Sequence, residues 1–398
     1  MSISERARNT APSPTMAITA KAKALAAQGN DIIGFGAGEP DFDTPDHIKQ
    51  AAIAAIQSGY TKYTPSSGDM DLKQAVAAKL ARDNNLSYKT SQIIISCGAK
   101  HSLYTVMQAM LNPGDEVIIP SPYWVSYPEQ VKLAGAVPII VPTLPENDFT
   151  PAREALRGAI TGRTKAIILN SPSNPTGGVA SRRAIKEIAS LCIQYKLKLI
   201  SDEIYEKLLY DGRTHTSPAE LGSGIFQNTI VVNGCSKAYS MTGWRIGYIA
   251  SADEELVSAM GRIQDQSTSN PVSISQKAAV AALTGTQEPT EQMRKAFEAR
   301  RNLMVDRLNS MPGVQCRMPG GAFYAFPDVS ALFGAKFGDQ EINSSDDIAA
   351  YLLEEAGVAV VPGSGFGADS HIRLSYATST EMIVRGLKRM ENALCKLL

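Results

Sequence analysis

A chain of 398 residues is too long for one ordinary hydrophobic core and points to two or three domains, with length enough for a sizeable buried sheet. Lysine plus arginine number 39 and aspartate plus glutamate also 39, so a formal net charge of zero offers no long-range field for nucleic acid or an anionic membrane. Small molecules and further copies of the chain are the partners this balance favours.

Cys97, Cys192, Cys235, Cys316 and Cys395 are scattered and lack any CxxC spacing, which argues against a disulfide framework or a zinc site. His47, His101, His215 and His371 form no HExxH pair, so no metal is expected. The opening MSISERARNTAPSP has no apolar core of a secretory leader, and no later stretch approaches the roughly 20 apolar residues of a membrane span. A cytoplasmic protein without membrane contact is expected.

TMAITAKAKALAAQ, ahead of Gly29, is patterned as a helix that needs an apolar partner beyond the sheet. From about residue 90 to 250, short apolar runs then alternate with amphipathic segments. The runs are QIIIS (92–96), DEVIIP (115–120), VPIIV (137–141), TKAIILN (164–170), LKLIS (197–201) and NTIVVN (228–233), and SRRAIKEIASLCIQYK (181–196) typifies what lies between. Such alternation predicts an α/β unit, a mostly parallel sheet covered by helices, with ligands bound beyond the carboxyl ends of its strands. Helical patterns follow at 253–267, 272–284 and 287–310. QCRM, AFYAFP, VAVVP and HIRLSYA then read as short strands among helices at 345–356 and 379–396, a smaller α+β unit.

Two glycine clusters, GFGAGEP (34–40) and GSGFG (363–367), superficially suggest dinucleotide loops. A true fingerprint opens directly into a helix, whereas the first runs into the prolines of EPDFDTP and the second into a strand pattern.

The chemistry concentrates in NGCSKAYSMTGWRIGYIA (233–250). Lys237 follows a strand end and is flanked by Gly234, Cys235, Ser236 and Ala238, which leave room for a flat ligand. A lysine placed in this way is useful once its pKa falls from about 10.4 and the amine becomes nucleophilic. Ser236 and Arg245 can clamp an anion beside it, the guanidinium gripping two phosphate oxygens. An amine with a phosphate clamp suggests pyridoxal phosphate. That cofactor needs a carboxylate for its ring nitrogen, and Asp202, after LKLIS, supplies one. It needs a helix N-terminus for its phosphate, which SCGAKHSLYTVMQAM (96–110) offers. Trp124 of SPYWVSYPE can cover the ring, and Asn174 and Tyr205 can donate to the ring oxygen.

NSPSNPTGG, SDEIYE, SKAYSMTGWRIGY, GGAFYAFP and HIRLSYA, in this order and separation, resemble the class I aminotransferases of pyridoxal-phosphate fold type I, over residues 12 to 395. AGEPDFDTP, TKYTPSSG, GDEVIIPSPYWVSYPE and VAVVPGSGFG further resemble the bacterial aspartate and prephenate aminotransferase subgroup. The resemblance implies a seven-stranded sheet in a large cofactor-binding domain at 45–288. It also implies a small C-terminal domain at 289–398 and an N-terminal segment, 1–44, packed on the small domain.

Residue by residue, it implies that Lys237 bonds to the cofactor and later moves the proton. Asp202 pairs with the ring nitrogen, Tyr205 and Asn174 bind the ring oxygen, and Trp124 stacks on the ring. Gly98, Ala99 and Lys100 lie at the phosphate helix, with Ser236 and Arg245 completing the cup. Tyr63 reaches the phosphate of a neighbouring subunit in a homodimer. Arg373 takes the substrate α-carboxylate beside Asn174 and Gly38, while Lys100, helped by Thr15, meets a second carboxylate. The subgroup often has two glycines before the lysine of the phosphate helix, where this chain has Gly98-Ala99-Lys100.

The expected reaction is transamination by two half-reactions between an amino acid and a 2-oxo acid. A β-lyase, or an aminotransferase for aromatic or neutral amino acids, is the alternative on the same fold. A cofactor-sensing regulator would need a further binding domain.

Overall fold

A computed structural model describes residues 3–12, 14–338 and 340–397. Its centre is a seven-stranded sheet in the spatial order Ile93–Ser96, Gly247–Ser251, Thr229–Gly234, Lys198–Asp202, Thr164–Asn170, Glu116–Ser121 and Val137–Pro142. The six runs named from the sequence are all present within a residue or two. The seventh strand, Gly247–Ser251, lies inside the lysine motif, where the surrounding small and polar residues hide a short strand pattern. It pairs antiparallel with both neighbours, while the other pairs are parallel. Its connection, residues 235–246, contains no helix, the element that usually carries a parallel crossover. Lys237 sits in that reversal.

The near-continuous apolar runs follow from burial on both faces. Ile93 and Ile95 face one way, packing with Val231, Tyr248 and Ala250 against Leu72, Val76 and Leu80 of helix Met70–Asn84. Ile94 faces the other way, with Ile230, Val232 and Ile249, against Leu103, Val106 and Met107 of helix Ala99–Met110. At the far side of the sheet Ile167, Leu169 and Leu199 pack against Ile185, Ile188 and Leu191 of Arg182–Tyr195. Ser181 starts that helix by accepting from the Ala184 N–H at 3.2 Å, and Lys196 ends it in a left-handed conformation.

A second apolar cluster joins the two ends of the chain. Ile33 and Phe35 pack with Phe297, Met304, Leu352, Leu374 and Leu387. Ile33–Gly34 pairs in parallel with Val358–Ala359, and Val361–Pro362, Ile372–Ser375 and Tyr324–Ala325 form an antiparallel sheet. The helix foreseen before Gly29 spans Pro14–Ala27 and contacts the strands at 358–359 and 361–362. QCRM, expected as a strand, is not one: only Gln315 makes a bridge, to Asp328. Its one neighbour in register is a single residue, too little for a ladder. Peptide bonds preceding Pro122, Pro172 and Pro175 are cis.

Gly247 fixes the distance between the sheet and the start of helix Ala99–Met110, because a Cβ there would run into the backbone of Gly98 and Ala99. Neither of those atoms belongs to a flexible side chain. Gly247→Ala is therefore expected to destabilise the protein by about 1–3 kcal/mol, the usual cost of overpacking, seen as a lower urea midpoint at unchanged m-value.

Candidate active site

The carboxyl ends of the parallel strands open into a cavity of about 250 Å³. Of the residues singled out from the sequence, Thr15, Gly38, Ala99, Lys100, Trp124 and Asn174 line it, as do Asp202, Tyr205, Ser236, Lys237, Arg245 and Arg373. Gly98 does not line it but caps the helix behind it, with φ of 88°. Added bulk at Gly98 would strike the Arg245 guanidinium. Tyr63 lies elsewhere, 91 % exposed.

Lys237 is half-buried, and its Nζ donates to the Gly38 carbonyl. Burial brings its pKa down to about 8; Glu39 opposes the shift, while Arg373 and Arg245 add to it. Near neutrality an appreciable fraction of this amine is therefore free to act as a nucleophile. Asp202, the last residue of its strand, is fully enclosed, and burial lifts its carboxyl to about 6 against the opposing effects of Tyr127 and the Ile204 N–H. The Tyr127 hydroxyl donates to Asp202 Oδ2 at 2.6 Å.

Arg373 is buried; it donates from Nη1 to Asn174 Oδ1 at 2.8 Å and from Nη2 to the Gly36 carbonyl at 3.0 Å. Its Nε is buried without a partner among the described residues. The guanidinium lies 4.5 Å from the Tyr324 ring centroid and 5.0 Å from that of Phe366. Lys100 Nζ stands 5.0 Å over the Trp124 ring, and burial, aided by Arg245, lowers its pKa. Arg245 donates to the carbonyls of Thr242 and Cys97 at 2.9 and 3.3 Å. Among the described residues no carboxylate forms an ion pair with any of these four cations, a costly concentration of charge unless an anion binds.

The residues fit pyridoxal 5'-phosphate. The first-turn N–H groups of Ala99 and Lys100, which have no acceptor in their own helix, join Ser236 and Arg245 as a phosphate donor set. Asp202 is the enclosed carboxylate suited to a protonated ring nitrogen, Lys237 the amine, and Trp124 the aromatic face.

Sequence reasoning missed Tyr127 and Tyr324. Tyr127 stands three residues after Trp124 on the first turn of Ser126–Leu133, a spacing that brings both to one side. Tyr324 belongs to the quoted GGAFYAFP, and its hydroxyl lies 2.8 Å from that of Tyr205. The tyrosine could be read there, but nothing in the motif showed that it faces this cavity.

The family model for class I and II aminotransferases matches residues 30–390. The chain belongs to that family. It is 51% identical over 393 residues, 98% of each chain, to the aspartate aminotransferase of Geobacillus stearothermophilus. To the aspartate/prephenate aminotransferase of Cereibacter sphaeroides it is 49% identical, covering 96% of this chain and 95% of that one. The solved aspartate aminotransferase of Thermus thermophilus with maleate superposes with a TM-score of 0.93 at 44% identity, over 99% of this chain and 100% of that one. The protein is an aminotransferase, and its cofactor is pyridoxal 5'-phosphate. No helix among the described residues is long and apolar enough to cross a membrane.

Tyr127→Phe removes a donor from a buried carboxylate, so the Asp202 pKa should rise above its value of about 6. Fewer molecules then carry the carboxylate at pH 6–7. Affinity for pyridoxal 5'-phosphate should fall about tenfold or more, with a steeper loss toward low pH than in the wild type. Absorbance titrations at several pH values measure this, and unchanged affinity and pH dependence would count against the hydrogen bond's importance.

Proposed function

We propose that the protein transfers the amino group of aspartate or glutamate to a 2-oxo acid, namely 2-oxoglutarate, oxaloacetate or prephenate, by a ping-pong sequence. The observation that carries this reading is the surplus of cations in the cavity. Arg245 suffices, with the helix N-terminus, for a phosphate, and Lys237 serves as the amine. Arg373 and Lys100 then remain for two further negative groups, the number an acidic amino acid carries. Support comes from the relatives' names and from the Thermus thermophilus structure's maleate, a dicarboxylate.

Pyridoxal 5'-phosphate supplies, when bound, an electron-accepting ring that stabilises the charge left when the substrate Cα–H bond breaks. Lys237 holds the cofactor through its Nζ and, once displaced, moves the proton from Cα as a general base. Asp202 keeps the ring nitrogen protonated, and Tyr205 and Asn174 donate to the ring oxygen. Trp124 covers the ring face, with Gly98 and Ala99 shaping the phosphate end. Arg373, steadied by Asn174 and the Gly36 carbonyl, orients the α-carboxylate beside Gly38. Lys100, with Thr15 from the N-terminal helix, receives the second carboxylate.

The same reading divides the chain into the segment 1–44, a large domain 45–288 and a small domain 289–398, with the cavity drawing residues from each. A cytoplasmic location fits five cysteines without a disulfide.

A homodimer with shared sites belongs to this reading too. Tyr63 is 91 % exposed, yet its loop is firmly held: Gln276 donates to Thr64 Oγ1 at 2.9 Å and accepts from the Asp69 N–H at 2.7 Å. A fixed loop that presents an aromatic ring to its surroundings suits a contact with the neighbouring subunit's phosphate. Sedimentation at assay concentration should show a dimer, and Tyr63→Phe should weaken cofactor binding; a fully active monomer would refute shared sites.

Substrate choice is tested by a panel of donors and acceptors, prephenate included, on the wild type and Lys100→Ala. The substitution should lower kcat/KM for acidic donors by an amount equivalent to about 1.5–3 kcal/mol, with much smaller losses for uncharged ones. Equal losses would assign Lys100 to the phosphate instead. Ammonia and pyruvate formed from cysteine-type donors without a 2-oxo acid would favour a lyase.

A further inference from the structure

Behind Asp202 and Tyr205 lies a buried polar cluster that the proposed mechanism does not use. Glu203 Oε1 accepts from Ser201 Oγ at 2.8 Å and Ser217 Oγ at 2.7 Å, and Oε2 lies 3.0 Å from His215 Nε2, an ion-pair contact in which neither atom makes an aligned hydrogen bond among the described residues. Glu206 is ion-paired with Lys79 and accepts from Asn84 Nδ2 at 2.8 Å, while Lys79 donates to Asn84 Oδ1 at 2.7 Å. Glu203, Glu206 and Lys79 are all buried, and only a tenth of the His215 side chain is exposed. Glu203, Glu206 and His215 bring their ligand-type atoms within 4.8 Å of one another. Lys79 already supplies a cation to Glu206, and His215 stands against Glu203, an ionic network rather than a metal centre.

The cluster shares its backbone with the site. In the turn after strand Lys198–Asp202, Asp202 and Tyr205 face the cavity, whereas Glu203 and Glu206 face the cluster. The turn is pinned by the Glu203 N–H to the Val232 carbonyl at 2.9 Å and the Glu206 N–H to the Glu203 carbonyl at 2.9 Å. The Glu203 charge also acts on its neighbour, since it raises the Asp202 pKa.

We propose that His215 is a positioning residue for the amino-transfer site: paired with Glu203, it holds the turn bearing Asp202 and Tyr205 and neutralises the carboxylate adjacent to Asp202. Burial alone would lower the His215 pKa, but Glu203 and then Glu206 outweigh it and raise it, with Lys79 opposing. Tyr88, whose buried hydroxyl has no hydrogen-bond partner among the described residues, and the buried Tyr248 are further titratable groups on which the Glu203 charge acts. On the cavity side, Tyr127 and Lys237 act on Asp202.

Because the His215 pKa is raised on folding, its contribution to stability is complete below the unfolded value of about 6.5 and fades as pH rises through the folded value. The urea midpoint of the wild type should carry this component, and that of His215→Gln should lack it. The proposal rests on Asp202 facing the cofactor's ring nitrogen, which Asp202→Asn tests separately.

The test uses the full-length chain and pyridoxal 5'-phosphate. With Glu203 uncompensated, protons near it are held more tightly. His215→Gln should therefore weaken cofactor affinity about tenfold and move the pH midpoint of the holoenzyme's visible absorbance upward by about half to one unit. The double variant Glu203→Gln/His215→Gln removes both charges and should return affinity and midpoint toward wild type, even if its urea midpoint stays low. Wild-type affinity and midpoint in His215→Gln, or a double variant no better than the single one, would overturn the proposal. Should His215→Gln fail to fold, Glu203→Gln alone should move the midpoint downward, and an unmoved midpoint would overturn it. If Asp202→Asn leaves affinity and absorbance unchanged, the reading of Asp202 itself fails; if it alters them while His215→Gln does not, only the role of His215 falls.

Discussion

The pleat of one strand organises both sides of the site. Successive side chains on a strand point to opposite faces, so a chain that aims Asp202 into the cavity must send Ser201 and Glu203 the other way. The turn that follows repeats the division, with Tyr205 on the cavity side and Glu206 behind. Carboxylates on the hidden side cannot be solvated, and an unpaired buried charge is too costly to keep. Lys79, His215 and the serine hydroxyls are the partners that make the hidden side tolerable. The composition of the rear of the sheet is thus constrained by a requirement at its front.

The cavity itself has the opposite imbalance. Four cations line it with Asp202 as the facing carboxylate, and the hydrogen bonds of Arg373 and Arg245 go to carbonyls and an amide oxygen. Neutral acceptors hold a guanidinium in place without spending its charge. Aromatic faces do the same: Tyr324 and Phe366 flank Arg373, and Trp124 lies under Lys100. A group held in this way stays available to a carboxylate or phosphate, whereas an internal ion pair would have to be broken first.

Most of the fold was legible because apolar runs of strand length alternate with helical periods across the central region. The strand Gly247–Ser251 was not, since glycine opens it and the preceding residues serve the site rather than the sheet. QCRM misled for the converse reason: alternating residue types imitate a strand, but no partner offers more than one bridge. Among the residues that line the cavity, Lys237, Asp202 and Arg245 stand out in the sequence by residue type and by their position near strand ends. Tyr127 could be recognised only through the carboxylate it supports, and His215 only through Glu203, contacts that span 75 positions for the first and depend on a long loop for the second.

That difference has a physical basis. A residue that touches a ligand is restricted by the ligand's chemistry, so its identity reveals the need. A supporting residue is restricted only by the group it supports, and several side chains can supply one hydrogen bond. The Tyr127 hydroxyl shows how much can depend on such a choice: it is a donor with no charge of its own, so it stabilises the Asp202 carboxylate while leaving that charge unneutralised. A lysine at the same place would stabilise the carboxylate more strongly, yet would compete for the negative charge that a protonated ring nitrogen requires. A neutral donor on the cavity side and an imidazole against Glu203, one residue away, are therefore complementary: the first leaves the Asp202 charge in place, and the second, when protonated, offsets the charge beside it.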